Sequence, residues 1–194
     1  MPTPIIRSLY RRLMGIGIAP AIVLGSTAAL AGNPAGVIPV TCLNDEVYLL
    51  LAYDTNPLRR SWATFGGHAD YGETLPQTAA REFHEETGCV FTRPTPEDLH
   101  QNEAVKIQRF VSYVYPVPYV DPELITASRC GTPGERRDWV WLLLDDVVAS
   151  FPANRPVIKD SKTENSYPLW RKSRDVLAAA HEAGLLSNEA IQCE

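Results

Sequence analysis

Three glutamates, Glu82, Glu85 and Glu86, fall within five residues of one short segment, and a fourth, Glu73, lies nine residues before the first of them. Carboxylates crowded in this way either form a solvated acidic face paired with a local cation, here Arg81, or share a bound dication. If the segment is helical, each residue advances by about 100°, and Leu75, Ala79 and Phe83 then form an apolar stripe about 80° wide. Glu82 and Glu86 lie at the edge of that same stripe, about 40° apart; Glu85 sits about 60° beyond Glu82, and His84 points to the opposite side. An i,i+4 pair of like charges costs a few tenths of a kcal/mol even when exposed, and the cost grows with burial. A hard cation that prefers oxygen, Mg²⁺ or Mn²⁺, resolves the repulsion and leaves positions open to water and to a phosphate.

The segment carries its own start and stop signals. Thr74 and Gln77 match a capping box, Pro76 stands in the first turn where its missing N–H costs nothing, and Gly88 is a left-handed stop, so the spacing predicts a helix over 75–87. Upstream, after the turn-like Gly32-Asn33-Pro34, AGVIPV and VYLLLAY read as two strands of a hairpin joined at Asn44-Asp45-Glu46. DTNPLRRSW reads as the loop that leads into the glutamates. Downstream, the stretch from Ala104 to Val117 alternates in part as strands do, and Trp139 to Leu144 reads as a buried strand flanked by charges. A short helix follows around Asp145 to Ala149, then an amphipathic one from about Leu169 to Leu185 that ends near Gly184. Strands before and after a central helix, with another helix at the end, predict an α+β domain built on a mixed β-sheet covered on both faces.

The stretch GGHADYGETLPQTAAREFHEETGC resembles the Nudix box, G-x5-E-x7-R-E-U-x-E-E-x-G-U with U an apolar residue. Gly67, Glu73, Arg81, Glu82, Glu85, Glu86 and Gly88 occupy all seven fixed positions, with Phe83 and Cys89 in place of the usual aliphatics. With each such residue near ~6% abundance, a chance match at seven positions has a probability of about 3 × 10⁻⁹ per starting point. The resemblance implies a Nudix-type α/β/α sandwich, assigned to residues 33–194; residues 1–32 read separately as an apolar leader. The resemblance also implies hydrolysis, dependent on a divalent metal, of a pyrophosphate bond in a nucleoside diphosphate-linked or nucleoside triphosphate substrate. By position, Glu82 and Glu86 would be the principal ligands of Mg²⁺ or Mn²⁺, Glu85 a further one, and the Gly66 carbonyl another. Arg81 would orient the carboxylates, Glu73 would tie the loop to the site, and Gly66 and Gly67 would let the backbone turn tightly towards the metal. A carboxylate must take the proton of the attacking water. Glu82 and Glu135 both stand as that base, Glu135 because it lies just before the apolar strand of CGTPGERRDWVW, where the bland reading is a solvated loop acid. Two rivals keep the fold: a catalytically silent nucleotide-binding or regulatory module, expected to have lost a box carboxylate, and a prenyl diphosphate isomerase, which relies on further cysteine and glutamate chemistry.

Outside the box, the segment FPANRPVI is similar to part of the base pocket of MutT-type enzymes, with Asn154 at the matching place. An amide pairs donor and acceptor with a purine edge; the alternative is a Pro-bounded turn capped by Asn154. Arg59 and Arg60 stand where they would grip terminal phosphates, or are solvated. Trp62 is a candidate stacking wall, whereas Trp139 and Trp141 read as core. With 18 Lys+Arg against 23 Asp+Glu, a formal charge of -5, the chain lacks the broad basic surface that a nucleic-acid polymer needs, so the expected partner is a small phosphorylated molecule.

Cys42, Cys89, Cys130 and Cys193 have no C-x-x-C spacing, and both two disulfides outside the cytosol and four separate thiols stay open. Arg7, Arg11 and Arg12 precede the apolar run Leu13 to Leu24 and then Ala29-Leu30-Ala31, the layout of an export signal. That layout favours a periplasmic or secreted protein. A helix packed on a cytoplasmic domain and a short membrane anchor are the alternatives, with membrane contact expected only if the leader is retained.

Overall fold

The computed structural model describes residues 32–128, 130–131 and 134–193, so the expected leader lies outside the described residues apart from Gly32. The first hairpin joins β1 (Ala35–Leu43) to β2 (Glu46–Asp54). Its two turn residues, Asn44 (φ 51) and Asp45 (φ 63), are both left-handed, which these side chains tolerate better than others and which matches the twist of the flanking strands. The two strands pair only over Val40–Leu43 and Glu46–Leu49 and then part. Into the fork run two short strands, β3 (Trp62–Ala63) against β2 and β4 (Phe65–Gly67) against β1. The first glycines of the box are thereby built into the sheet.

The rest of the sheet assembles around this pair. β6 (Phe110–Pro116) lies parallel to β1, with β5 (Ala104–Ile107) antiparallel outside it, and β7 (Arg136–Leu143) covers the other edge of β2. Period-2 alternation sends successive side chains to opposite faces. Ile38, Val40, Leu49 and Leu51 join Val176, Leu177 and Ala180 of helix α5 (Arg171–Glu182) in one core, while Val37, Leu50 and Ala52 join Ala79, Ala80 and Phe83 of helix α1 (Leu75–Glu86) in another. The result is the expected α+β architecture, a mixed sheet between two helical layers. Helix α1 stops one residue short of the expected range, with Thr87 as its cap and Gly88 (φ 63) turning the chain.

Three features go beyond what the sequence patterns specify. The stretch from Ala104 to Val117 is the β5–β6 hairpin, turning at Gln108 (φ 56) and Arg109 without the glycine or asparagine that usually marks such a turn. Short elements with too few residues to show a period add to those expected: α2 (Pro96–Gln101), α3 (Pro122–Ala127), the β8 (Val157–Lys159) and β9 (Ser166–Pro168) ribbon, and α6 (Asn188–Ile191); α4 (Leu144–Ala149) is the short helix expected around Asp145 to Ala149. All four cysteines are paired. Cys42–Cys193 fastens β1 to the chain's end, and Cys89–Cys130 joins the residue after the α1 stop to the loop before β7, with Cα separations of 5.4 and 5.6 Å.

Candidate functional site

The site is built where α1 lies over β4. Gly36 and Gly66 face each other across β1 and β4, and a Cβ on Gly66, whose φ is +143, would come within 2.6 Å of the Ala35 carbonyl oxygen. That close approach draws the glycine strand under the helix. Glu86 then reaches inward and accepts the Gly66 N–H on one carboxylate oxygen (2.8 Å), while its other oxygen accepts from Arg136 Nε (2.9 Å) and lies 2.9 Å from Nη2. Glu82 lies over the next glycine, since a Cβ on Gly67 would sit 2.6 Å from the Glu82 carboxyl carbon. Two carboxylates one helical turn apart are thus aimed at one short piece of backbone.

Electrostatics follow from this burial. Burial pushes the Glu86 carboxyl up to about 7, against the opposing pull of Arg136 and the Gly66 N–H. Glu82 is also raised, again by burial first, with Arg81 opposing it and Glu85 and Glu135 adding to it. Arg81 is the hub on the outer side. Its Nε donates to Glu73 Oε1 (2.9 Å) and Nη2 to Glu73 Oε2 (3.1 Å) and the His68 carbonyl (2.9 Å), while Nη1 reaches Glu82 (3.1 Å) and Glu85 (3.3 Å). The Arg81 hydrogen bond holds the Glu73 carboxyl below its ordinary range. One guanidinium therefore clamps the 68–73 loop to the helix and fixes two of its three acids.

A cleft of about 470 Å³ opens beside these groups, lined by Glu82, Glu86, Gly66, Gly67 and Glu135 together with Asp54, Arg59 and Arg136. Glu135 makes no ion pair among the described residues. Glu85 lines instead an adjoining cavity of about 410 Å³, which shares Glu86, Gly134 and Arg136 with the cleft. Arg59 reaches the cleft but is already held by Asp54 (2.6 Å) and lies over Trp170, 4.8 Å from the ring centroid. Arg60 and Asn154 are exposed and lie outside the cleft lining. Trp62 packs edge-on against Tyr53 of β2 and Tyr167 of the β8–β9 ribbon, and the Trp139 indole donates to the Glu86 carbonyl (3.1 Å).

Sequence reasoning missed Arg136 and Asp54. Arg136 sits in the run Arg136-Arg137-Asp138, which reads as a solvated flank, yet its side chain is only 4% exposed and bridges Glu86 to Asp54 (3.4 Å) and the Thr64 carbonyl (3.1 Å). The available signal was its position at the first residue of an apolar strand. The residues present fit a hard divalent cation. Oxygen donors from Glu82 and Glu86 converge on a glycine cradle where no Cβ would fit, beside an open cleft.

Comparison with known proteins agrees with this geometry. The family model of the NUDIX domain matches residues 33–161. An uncharacterised protein, L534, of Acanthamoeba polyphaga mimivirus is 44% identical over 61 residues; the match spans 29% of this chain and only 20% of that protein. Among solved structures, a MutT/nudix family protein from Enterococcus faecalis aligns with a TM-score of 0.52 at 16% identity, over 84% of this chain and 67% of that one. The NUDIX domain of Shewanella oneidensis NrtR, complexed with ADP ribose, aligns with a TM-score of 0.50 at 19% identity, over 77% and 85%. At such identities these two structures speak for the fold alone. With an unbroken box, a glycine cradle under its helix and a family match over most of the domain, the chain belongs to the Nudix family.

Proposed function

We propose that the chain is a pyrophosphohydrolase that uses Mg²⁺ or Mn²⁺ to cleave a nucleoside diphosphate-linked or nucleoside triphosphate substrate. The observation that carries this reading is the convergence of Glu82 and Glu86 on the Gly66-Gly67 backbone beside an open cleft. These two carboxylates and the Gly66 carbonyl would hold the cation, with Glu85 a further ligand from the adjoining cavity. When bound, the cation supplies charge neutralisation on the bridging phosphates and acidifies a water for in-line attack at phosphorus. Arg81 keeps Glu82 and Glu85 oriented, Arg136 and the Gly66 N–H keep Glu86 in register, and Glu135 at the cleft rim accepts the proton of the attacking water, with Glu82 the alternative base. Arg59 stands ready for a terminal phosphate once Asp54 releases it. Asn154 as a reader of the base requires the 150–156 turn to approach the cleft, and its exposed amide is available for that.

The compartment belongs to the same proposal. Two disulfides support an oxidising environment, in keeping with the export-like leader. They also weigh against the prenyl diphosphate isomerase, because no thiol is free for acid–base chemistry at any of the four cysteines.

Nucleoside triphosphates, oxidised dGTP, ADP-ribose and dinucleoside polyphosphates assayed with Mg²⁺ and with Mn²⁺ test the proposal. Turnover of at least one, lost on chelation and reduced at least about a hundredfold in Glu86→Gln while the fold is retained, is the expected result. Tight nucleotide binding without any turnover would instead identify a silent binding module.

A further inference from the structure

Between α3 and β7, Gly134 and Glu135 stand at the cleft, and the described residues at this loop's two ends, 128, 130–131 and 134–136, are each anchored. At its C-terminal end the Thr55 N–H donates to the Glu135 carbonyl (3.1 Å), the Thr55 hydroxyl donates to the Gly134 carbonyl, and the next residue, Arg136, is bound to Glu86. At its N-terminal end the Ser128 hydroxyl donates to the Gly88 carbonyl and accepts from the Cys130 N–H (3.2 Å), Cys130 is bonded to Cys89, and Gly131 (φ 91) packs against the Glu85 carbonyl with no room for a Cβ. Apart from the Ser128–Cys130 contact within the loop, each of these N-terminal anchors is on the last turn of α1 or the two residues after its cap. The same helix carries Glu82, Glu85 and Glu86.

We propose that the Cys89–Cys130 disulfide is a positioning element for catalysis: it locks the loop bearing Glu135 to the end of the helix bearing the metal carboxylates, so that proton acceptor and metal site move as one body. The inference rests on the function proposed above. Without the covalent link, the N-terminal anchor is reduced to the packing of Gly131 on the Glu85 carbonyl and to hydrogen bonds at a partly exposed serine, each contributing modestly against competing water. A displacement of about 1 Å at a reacting group can cost up to about a hundredfold in rate. The second disulfide is an internal control. Cys42–Cys193 joins β1 to the chain's end, and Cys193 belongs to the core on the α5 side of the sheet.

Two double variants, Cys89→Ser/Cys130→Ser and Cys42→Ser/Cys193→Ser, test the inference. The first readout needs no turnover: amide hydrogen exchange in peptides covering 134–136, measured on metal-free protein. The first variant is expected to exchange at least about tenfold faster there, and the second at the wild-type rate. In the hydrolysis assay the first variant is expected to lose at least about tenfold in kcat, with KM and Mg²⁺ affinity within about twofold of wild type. In a Glu135→Gln background, breaking the same disulfide is expected to change kcat no further, an outcome that a general loosening of the fold would not give. Should Cys89→Ser/Cys130→Ser fail to fold, phosphine reduction of the folded Cys42→Ser/Cys193→Ser protein breaks the one remaining disulfide and gives the same comparison. Unchanged exchange at 134–136, or a kcat loss of equal size in the Glu135→Gln background, overturns the inference. Responsive exchange in a protein that hydrolyses none of the substrates overturns the proposed reaction and leaves the clamp on the loop intact.

Discussion

Replacing Arg136 by methionine isolates the interaction that the site depends on most. The methionine keeps the packing of the stem and deletes the guanidinium, whose three nitrogens serve Glu86, Asp54 and the Thr64 carbonyl. Asp54 retains Arg59 at 2.6 Å and the Asn56 N–H at 2.8 Å, so it stays compensated. Glu86, with a side chain 6% exposed, retains only the Gly66 N–H. Breaking a buried pair from one side costs about 3–5 kcal/mol, and the orphaned Thr64 carbonyl adds about 1 kcal/mol. Glu86 can escape part of this by taking up a proton, and its carboxyl already titrates near 7, so the loss expected at pH 7.5 is nearer the lower figure, about 3 kcal/mol. Urea denaturation in the presence of EDTA measures it. The double variant Arg136→Met/Glu86→Gln is expected to be more stable than the sum of the two single losses by about 2 kcal/mol, because removing the charge removes what was left unpaired. Saturating Mg²⁺ is expected to recover part of the loss in the single variant and none in the double, since the cation binds only the folded state with its carboxylates intact. A single-variant loss below about 1 kcal/mol, or strict additivity in the double, would refute the claim that Arg136 supplies the inner countercharge.

Other outcomes follow from the same geometry. In the metal-free protein the Glu86 carboxyl is raised from 4.5 to about 7, so its contribution to stability is fully present below pH 4.5 and is lost as pH rises through 7. At about 1.4 kcal/mol per unit this is about 3 kcal/mol, read as a difference between wild type and Glu86→Gln in urea titrations from pH 4 to 8; a difference that does not change with pH would contradict the burial. Gly67→Ala places a methyl group 2.6 Å from the Glu82 carboxyl carbon and must push that carboxylate out of the cradle. Calorimetry is expected to find Mg²⁺ affinity at least about tenfold weaker, with the circular dichroism unchanged, and an unaltered affinity would remove Glu82 from the ligand set.

What could be read in advance was local. The ends of α1 are written within a few residues of where they act, in Thr74, Gln77, Pro76 and Gly88, and the Asn44-Asp45 turn fixes its hairpin by its own backbone preference. The β5–β6 hairpin was hidden because Gln108 takes a left-handed conformation that its side chain does not advertise. The partners of the acids were hidden for a different reason. Arg136 meets Glu86 from fifty residues away, and Cys89 meets Cys130 across 41 residues, so each contact exists only once the sheet and α1 are assembled. A charged triplet at a strand start looks like solvated punctuation until the fold buries its first member.

Arg136 also bears on whether a cation is needed at all, because the acid helix turns out to have two arginine partners. Around the cleft and the helix stand Asp54, Glu73, Glu82, Glu85, Glu86 and Glu135, against the guanidinium groups of Arg59, Arg81 and Arg136. Arg81 spends its strongest bonds on Glu73 and Arg59 spends its own on Asp54, so Glu82 shares Arg81 with Glu73 and Glu85, while Arg136 gives both its shortest acid contacts to Glu86. Pairing prevails at Glu73 and lowers its carboxyl, whereas at Glu82 and Glu86 burial outweighs the pairing and raises both. The arginines therefore act as scaffolding that points the carboxylates inward at a net negative cleft. A dication bound there would balance that charge and keep free coordination positions for phosphate, which a third arginine could not do.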